Sequence, residues 1–325
     1  MKTAFVTGGS GFLGLNLLEQ LIAANWKILV FDLSPLPESF AGREKIVQVQ
    51  GDITDPLACE HSLQAGTDAV FHIAGDINHW KLANERQTQI NVVGTRNMVN
   101  AALKKKVGRF IYTSSISSYG FHSERITEKS ISNAENCWIN YFRTKRLAEL
   151  EITAGVEKGL DAVIINPANI IGPNDFSGFS RLFPIIKDGK LPGAAPGSAS
   201  FGHVREIAKA HVSAYDKGKK GHNYLLGGVD TSWVNFFKEI GDLLQRKTPN
   251  KPTPVFVLKA IGRVSLWLSY LTRKHPTLTP EFAALLSHDH ICSSEKAKKE
   301  LDYQVTPLQD MLIDCKNWMI KEGRF

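Results

Sequence analysis

Two groups of residues in this chain have types and spacings that suit chemistry. Gly8-Gly9-Ser10-Gly11-Phe12-Leu13-Gly14 directly follows the run Thr3–Thr7. Far downstream, Tyr141 and Lys145 stand four positions apart, which puts them on one face of a helix. A phenol with a pKa of about 10 is a poor base at neutral pH, but a neighbouring ammonium favours the phenolate. Such a pair can exchange a proton with a substrate oxygen. Glycines spaced GxxGxxG between a strand and a helix serve a different end. Gly8 allows the sharp turn, Gly11 lets the backbone approach a pyrophosphate, and Gly14 lets the helix pack closely on the strand. The helix N-terminus then meets the phosphates. Together the two groups predict a nicotinamide dinucleotide served by a proton-transfer tyrosine.

Other residues refine this. Asp32 lies roughly 20 residues beyond the glycines, where an acid holds the adenosine ribose hydroxyls and repels a 2′-phosphate. Leu33 and Ser34 follow it with no adjacent cation, so NAD is the expected cofactor. Arg43 and Lys45 leave NADP open if their loop folds back. Asp52, in Gly51-Asp52-Ile53, is placed either to accept from the adenine amino group or to cap a helix with Thr54 and Asp55. In Thr113-Ser114-Ser115, Ser115 is expected to orient a substrate carbonyl or hydroxyl, with turn chemistry the reading for Ser114, Ser117 and Ser118.

These residues need a frame. Thr3–Thr7, Lys27–Phe31, Ile46–Gln50, Ala69–Ile73, Arg109–Thr113 and Ala162–Ile165 read as strands. Leu13–Ala24, Asn84–Leu103 and Asn136–Val156 read as helices between them. The alternation predicts an α/β fold, a Rossmann-type doubly wound parallel sheet covered on both faces. It fades after Pro167. Residues 173–202, rich in Gly, Pro, Ser and Phe, are expected as loops over the mouth of a site. Helical stretches broken by prolines follow from Trp233. The predicted division is a cofactor domain over 1–172, with the chain returning around 200–230, and a smaller, mainly helical substrate cap over most of 173–325.

Composition is ordinary for a soluble protein: 43% hydrophobic, 22% charged, net charge +7 over 325 residues. The lysine runs at 104–106, 217–220 and 296–299 are scattered, which predicts solvated helix ends and no nucleic-acid surface, while leaving anionic substrates or a membrane surface as partners. Cys59, Cys137, Cys292 and Cys315 form no framework and are read as free thiols. With no apolar stretch of about 18 uninterrupted residues, no spanning helix is expected, and a cytoplasmic location is the default. His288-Asp289-His290-Ile291-Cys292 looks like a metal tract but lacks further ligands at a known spacing, so no metal is expected. The apolar stretch Val255–Thr272 is read as a cap helix over an apolar substrate or as core packing, ahead of a place in a membrane interface. Phe176, Phe179, Phe183 and Phe201 either line a substrate pocket or pack in the core.

Several stretches, in order along the chain, resemble the extended short-chain dehydrogenase/reductases, the NAD-dependent epimerase/dehydratase superfamily. They are Thr7–Gly14, Gly51-Asp52, Phe71-His72-Ile73-Ala74-Gly75, Asn91-Val92-Val93-Gly94-Thr95, Tyr112–Ser115, Tyr141 with Lys145, and Asn166–Pro173, followed by His203–Ala208. They cover roughly the first two thirds of the chain. The resemblance implies a catalytic trio of Ser115, Tyr141 and Lys145 and a more structural role for Asn91. It places Ile73 and Ala74 along the cofactor path, with Pro167, Asn169 and Ile170 flanking the nicotinamide. Phe12, Leu13 and Ile53 join the cofactor set. Ala74–Trp80 is more similar to the dihydroflavonol reductase, 3β-hydroxysteroid dehydrogenase and hopanoid-associated reductase-like branch than to nucleotide-sugar enzymes, and suggests Trp80 as a substrate contact. Thr144 stands where that family usually has serine, Arg205-Glu206 where it has paired acids, and Asp32 where reductases of the branch often carry a basic residue for NADP.

The expected function is therefore hydride transfer between NAD(H) and a ketone or secondary alcohol, bulky or apolar. A nucleotide-sugar epimerase or dehydratase with tightly held NAD is the first alternative, and a non-catalytic NAD-binding regulator the second. The resemblance further implies a homodimer paired through the helices at 84–103 and 136–156.

Overall fold

The computed structural model describes residues 1–325 apart from Ala41 and Thr277. Among the described residues the strands are β1 (Thr3–Thr7), β2 (Lys27–Asp32), β3 (Ile46–Gln50), β4 (Ala69–His72), β5 (Arg109–Thr113), β6 (Ala162–Pro167), β7 (Asn169–Ile171), β8 (Ser198–His203), β9 (Asn223–Leu226) and β10 (Val229–Ser232). Seven form one parallel sheet in the order β3-β2-β1-β4-β5-β6-β9. The order reverses between β1 and β4, and the crevice outside the carboxyl ends of strands at such a point is where ligands bind.

Both faces of this sheet are covered, so its inner strands read as nearly continuous apolar runs. The side-chain period of two splits each run between two cores. Ala4 and Val6 join one core, against Leu15, Leu18 and Leu21 of the helix Phe12–Ala23 and Ile207 of the helix Val204–Lys217. Phe5 joins the other, against Met98 of the helix Thr95–Lys105 and Ile152 of the helix Asn140–Glu157. Leu18 and Leu21 are fully buried, a contribution of roughly 1.5–3 kcal/mol per side chain.

The helical stretch expected over Asn84–Leu103 is not uniform. A π-helical segment, Gln89–Gly94, separates Asn84–Thr88 from Thr95–Lys105. Such wide turns inside helices are frequent at functional sites, and this one carries buried Asn91. The second long helix begins at Asn140, later than expected.

Residues 173–202 depart from the expected loops. They supply the helix Leu182–Lys187 and most of β8, which pairs with β7 and β10 in a small second sheet. Phe183 and Phe201 are fully buried in a third core with Trp233, Phe236 and Met311. Phe179 packs there as well, 5.7 Å from the Phe236 ring, and Phe176 meets Trp318 edge-on at 5.2 Å. The core reading holds for Phe179, Phe183 and Phe201, while Phe176 stays exposed at the edge of Trp318. Arg205 finds its partner in Asp314, at 2.7 Å.

The helix Val255–Thr272 forms as its periodicity predicts, but not as core packing: Phe256 is 74% and Trp267 63% exposed.

Candidate active site

The crevice at the β1/β4 reversal is a cleft of about 460 Å³. Its floor begins with the glycine turn. Gly8 has φ +72°, and a Cβ there would lie 2.6 Å from the Ala74 backbone nitrogen. A Cβ on Gly14 would lie 2.1 Å from the Gly8 oxygen. The fold itself therefore requires glycine at both. Gly11 differs. It is exposed, and a Cβ would meet nothing nearer than the Gly8 oxygen at 3.4 Å. The space a side chain would fill there opens on the cleft. Gly11 is also the N-cap of the helix Phe12–Ala23, which has no side-chain cap and no acid in its first turn. Open backbone N–H groups at a helix N-terminus suit a phosphate, so these residues fit a dinucleotide.

Asp32 lines the same cleft. One carboxylate oxygen accepts from the Ser10 backbone N–H at 2.9 Å, the other from Ser34 N–H at 3.0 Å. The carboxylate is thus tied to the glycine turn with lone pairs to spare. Asp52 accepts from Thr54 N–H at 2.8 Å and also lines the cleft. The cap of the next helix, Pro56–Ser62, is Asp55, which accepts from Leu57 and Ala58 N–H; Asp52 does not share in it. Phe12, Leu13, Ile53, Ile73, Ala74, Pro167 and Ile170 reach the cleft as well. Asn169 does not. Its amide turns to the Ser200 carbonyl at 3.1 Å, within the small sheet.

Ser115, Tyr141 and Lys145 meet at the other end of the cleft. Lys145 is 4% exposed and donates to the Thr113 carbonyl at 3.0 Å. Burial pushes its ammonium down to about 8, an effect that Glu149 partly offsets. Burial pushes the Tyr141 phenol up to about 12, with Ser115 opposing the rise and Asp76 adding to it. The phenol is therefore protonated at neutral pH and ready to donate. The Ser115 hydroxyl accepts from Ser117 N–H at 3.1 Å, which leaves its own hydrogen to give.

A buried layer holds these groups. Glu149, one turn beyond Lys145, accepts from Ser118 Oγ at 2.7 Å and Asn166 Nδ2 at 2.5 Å. Asn166 also donates to the Ser115 carbonyl at 3.1 Å, tying the end of β6 to the serine turn. Asn91 fixes the loop after β4: it accepts from Asp76 N–H at 2.7 Å and donates to the Asp76 carbonyl at 2.9 Å.

Two groups near Tyr141 escaped the sequence reading. The His79 ring meets the Tyr141 ring edge-on at 5.2 Å and stacks on Phe282 at 5.5 Å. Burial pushes its pKa down to about 4, and its Nδ1 has no described partner. Ile77 and Ile90 complete the apolar wall of the cleft. The alternation Asp76-Asn78-Trp80 was the available signal: Asp76 and Asn78 each accept from the backbone N–H two residues on, and this turn aims His79 inward. Trp80 itself donates to Ser269 Oγ at 3.0 Å and holds the helix Val255–Thr272 in place. Phe179 is committed to the third core, and Phe176 lies exposed against Trp318, so neither reaches the cleft. In the His288–Cys292 tract only part is packed: His290 is buried against Phe142 and Cys292 is buried, while His288 is exposed beside Phe121. Among the described residues no metal-binding cluster gathers.

Comparison with known proteins identifies the family. The family model described as "NAD dependent epimerase/dehydratase family" matches residues 4–227. The chain belongs to that family. It is 25% identical to sterol demethylase protein B of Methylococcus capsulatus, over 99% of each chain. It is 29% identical to the 2-alkyl-3-oxoalkanoate reductase of Stenotrophomonas maltophilia, over 92% of this chain and 93% of that one. The crystal structure of gox2253 superposes with a TM-score of 0.84 at 28% identity, each chain covered in full. This extended short-chain dehydrogenase/reductase is thus an NAD(P)-dependent enzyme, of the branch its Ala74–Trp80 segment suggested.

Proposed function

We propose that this family member transfers hydride between NAD(H) and a ketone or secondary alcohol on a bulky, apolar substrate. The observation that carries the reading is the meeting, on one cleft, of the buried Tyr141 phenol, the Ser115 hydroxyl hydrogen-bonded to it and the Lys145 ammonium. Gly11 and the open helix N-terminus would hold the pyrophosphate, Asp32 the adenosine ribose, and Lys145 the nicotinamide ribose. When bound, the nicotinamide supplies or takes up the hydride. Ser115 donates a hydrogen bond that orients the substrate oxygen. Tyr141 delivers a proton to that oxygen in reduction and removes one in oxidation. The Lys145 charge favours phenolate and so eases loss of that proton. Asp32, a carboxylate at the end of β2, supports NAD over NADP because it would repel a 2′-phosphate. Ile77 and Ile90 line the cleft together with Tyr141, whose ring packs on His79, and this apolar setting suits an apolar substrate better than a diphosphate.

The test is net NADH formation or loss by the purified protein with secondary alcohols, steroids, β-hydroxy acids, their ketones and nucleotide sugars. NADP(H) runs in parallel and Tyr141→Phe is the control. The expected result is net turnover that falls at least about 100-fold in Tyr141→Phe while NADH binding, read by fluorescence, persists. Isomerised sugar with retained NAD and no net redox change would make the protein an epimerase. A Tyr141→Phe gene that fully rescues a deletion would remove catalysis from its function. The homodimer through the helices of residues 84–105 and 140–157 belongs to the same proposal, and a monomer mass by light scattering would sink it.

A further inference from the structure

One long apolar helix lacks a cover. Val255–Thr272 rests on the remainder of the chain along a narrow line, Leu258, Gly262 and Ser269. Gly262 allows that contact, since a Cβ there would lie 3.1 Å from the Pro280 nitrogen. The opposite face carries Phe256 (74% exposed), Val264 (58%), Trp267 (63%) and Leu271 (68%). At 3.6 residues per turn these four form one stripe. Contiguous exposed apolar surface of this kind marks an interaction site.

Charge indicates which kind. No acidic residue occurs between Asp242 and Glu281, a stretch that contains Lys251, Lys259, Arg263, Arg273 and Lys274, all exposed. Lys259 and Arg263 are one turn apart and flank the apolar stripe. Their long stems can follow the apolar surface while the charges stay at its polar edge. A helix with aromatic and aliphatic groups on one face, cations beside them and no acid to neutralise them matches an anionic bilayer surface. We propose that Val255–Thr272 docks this enzyme, lying flat, on anionic lipid, with Phe256, Val264, Trp267 and Leu271 entering the acyl boundary.

The helix is also long and apolar enough to span, with mean hydropathy 1.3 over 18 residues. Its seat argues for lying flat. Gly262 and Ser269 hold its inner line against the protein, and Trp80 is hydrogen-bonded to Ser269. The docking does not depend on the proposed reaction, although its use does. On that reading, docking sets the Trp80–His79 side of the site against the phase in which an apolar ketone dissolves.

The test is flotation of the full chain with vesicles of phosphatidylcholine, alone or with phosphatidylglycerol added. Flotation is expected only with phosphatidylglycerol and should weaken as salt rises. Lys259→Gln with Arg263→Gln should weaken partitioning by about 30-fold, the loss for two cations near an anionic surface. Trp267→Asp with Leu271→Asp should abolish flotation with NADH binding unchanged. Because NADH binding reports the fold and flotation needs no turnover, failure here is separate from failure of the redox reading. No flotation, or equal flotation without phosphatidylglycerol, would overturn the proposal. So would resistance to alkaline carbonate extraction from cell membranes, which means a spanning helix. A solution dimer that Trp267→Asp with Leu271→Asp splits would show that a second copy covers the face.

Discussion

Lys145→Met should stabilise the cofactor-free protein while destroying its activity. The Lys145 ammonium is 4% exposed, and burial lowers its pKa from 10.5 to about 8. At 1.36 kcal/mol per pKa unit, holding it charged at neutral pH costs about 3 kcal/mol relative to the neutral amine. Methionine has similar reach and no charge. It leaves the Thr113 carbonyl without the 3.0 Å donor, a loss of about 1 kcal/mol. Glu149 keeps its bonds from Ser118 and Asn166. The net gain is about 2 kcal/mol at pH 7, a Tm rise of about 3 °C for a chain of this length. The sign fixes a pH signature. Because the folded pKa lies below the unfolded one, the unfolded wild-type chain binds more protons between pH 8 and 10.5. Wild-type stability therefore gains with pH across that window. The advantage of the variant should be full below pH 8 and gone by 10.5. Calorimetry of both proteins without cofactor at pH 7 and pH 10 checks this. A variant less stable than wild type at pH 7, or an advantage that does not shrink at pH 10, would refute the reasoning.

Three further outcomes follow from the same geometry. Asp32→Asn removes the charge that repels a 2′-phosphate while keeping an acceptor for Ser10 N–H; KM for NAD should rise about tenfold and NADP should gain relative to NAD in steady-state kinetics. Gly14→Ala puts a Cβ 2.1 Å from the Gly8 oxygen and 2.7 Å from Gly9 Cα, so a denaturant melt should show a loss of about 3 kcal/mol. In ketone reduction, Tyr141 stays protonated toward about 12 while the Lys145 charge is lost through about 8. The value of kcat/KM should therefore fall as pH rises through 8, and a flat profile to pH 10 would exclude an essential ammonium.

The parts of this protein legible in its sequence are those in which chemistry is local. Strand β1 and the glycine turn declare themselves because an apolar run, a positive φ and a helix N-terminus all depend on neighbouring residues. Tyr141 and Lys145 are legible because four residues of helix fix their common face. His79 was legible only in part: Asp76 and Asn78 signal the turn that aims it, but the Phe282 ring that stacks on it comes from a segment far along the chain. Asn169 was misplaced for a related reason. Its neighbours Ala168 and Ile170 face the cleft, and only the pairing of β7 with β8 shows that Asn169 turns toward Ser200. The helix Val255–Thr272 is the sharpest case. Periodicity shows that a helix is apolar, and its usual corollary is that something covers the apolar face. Whether a neighbour does so is decided elsewhere in the chain. Here Pro280 and Trp80 engage only the inner line, so the stripe from Phe256 to Leu271 stays open. A chain with no carboxylate between Asp242 and Glu281 leaves the cations beside that stripe without local counter-charges. The same residues that defeat the core reading of this helix therefore specify the negatively charged, apolar-backed surface it fits.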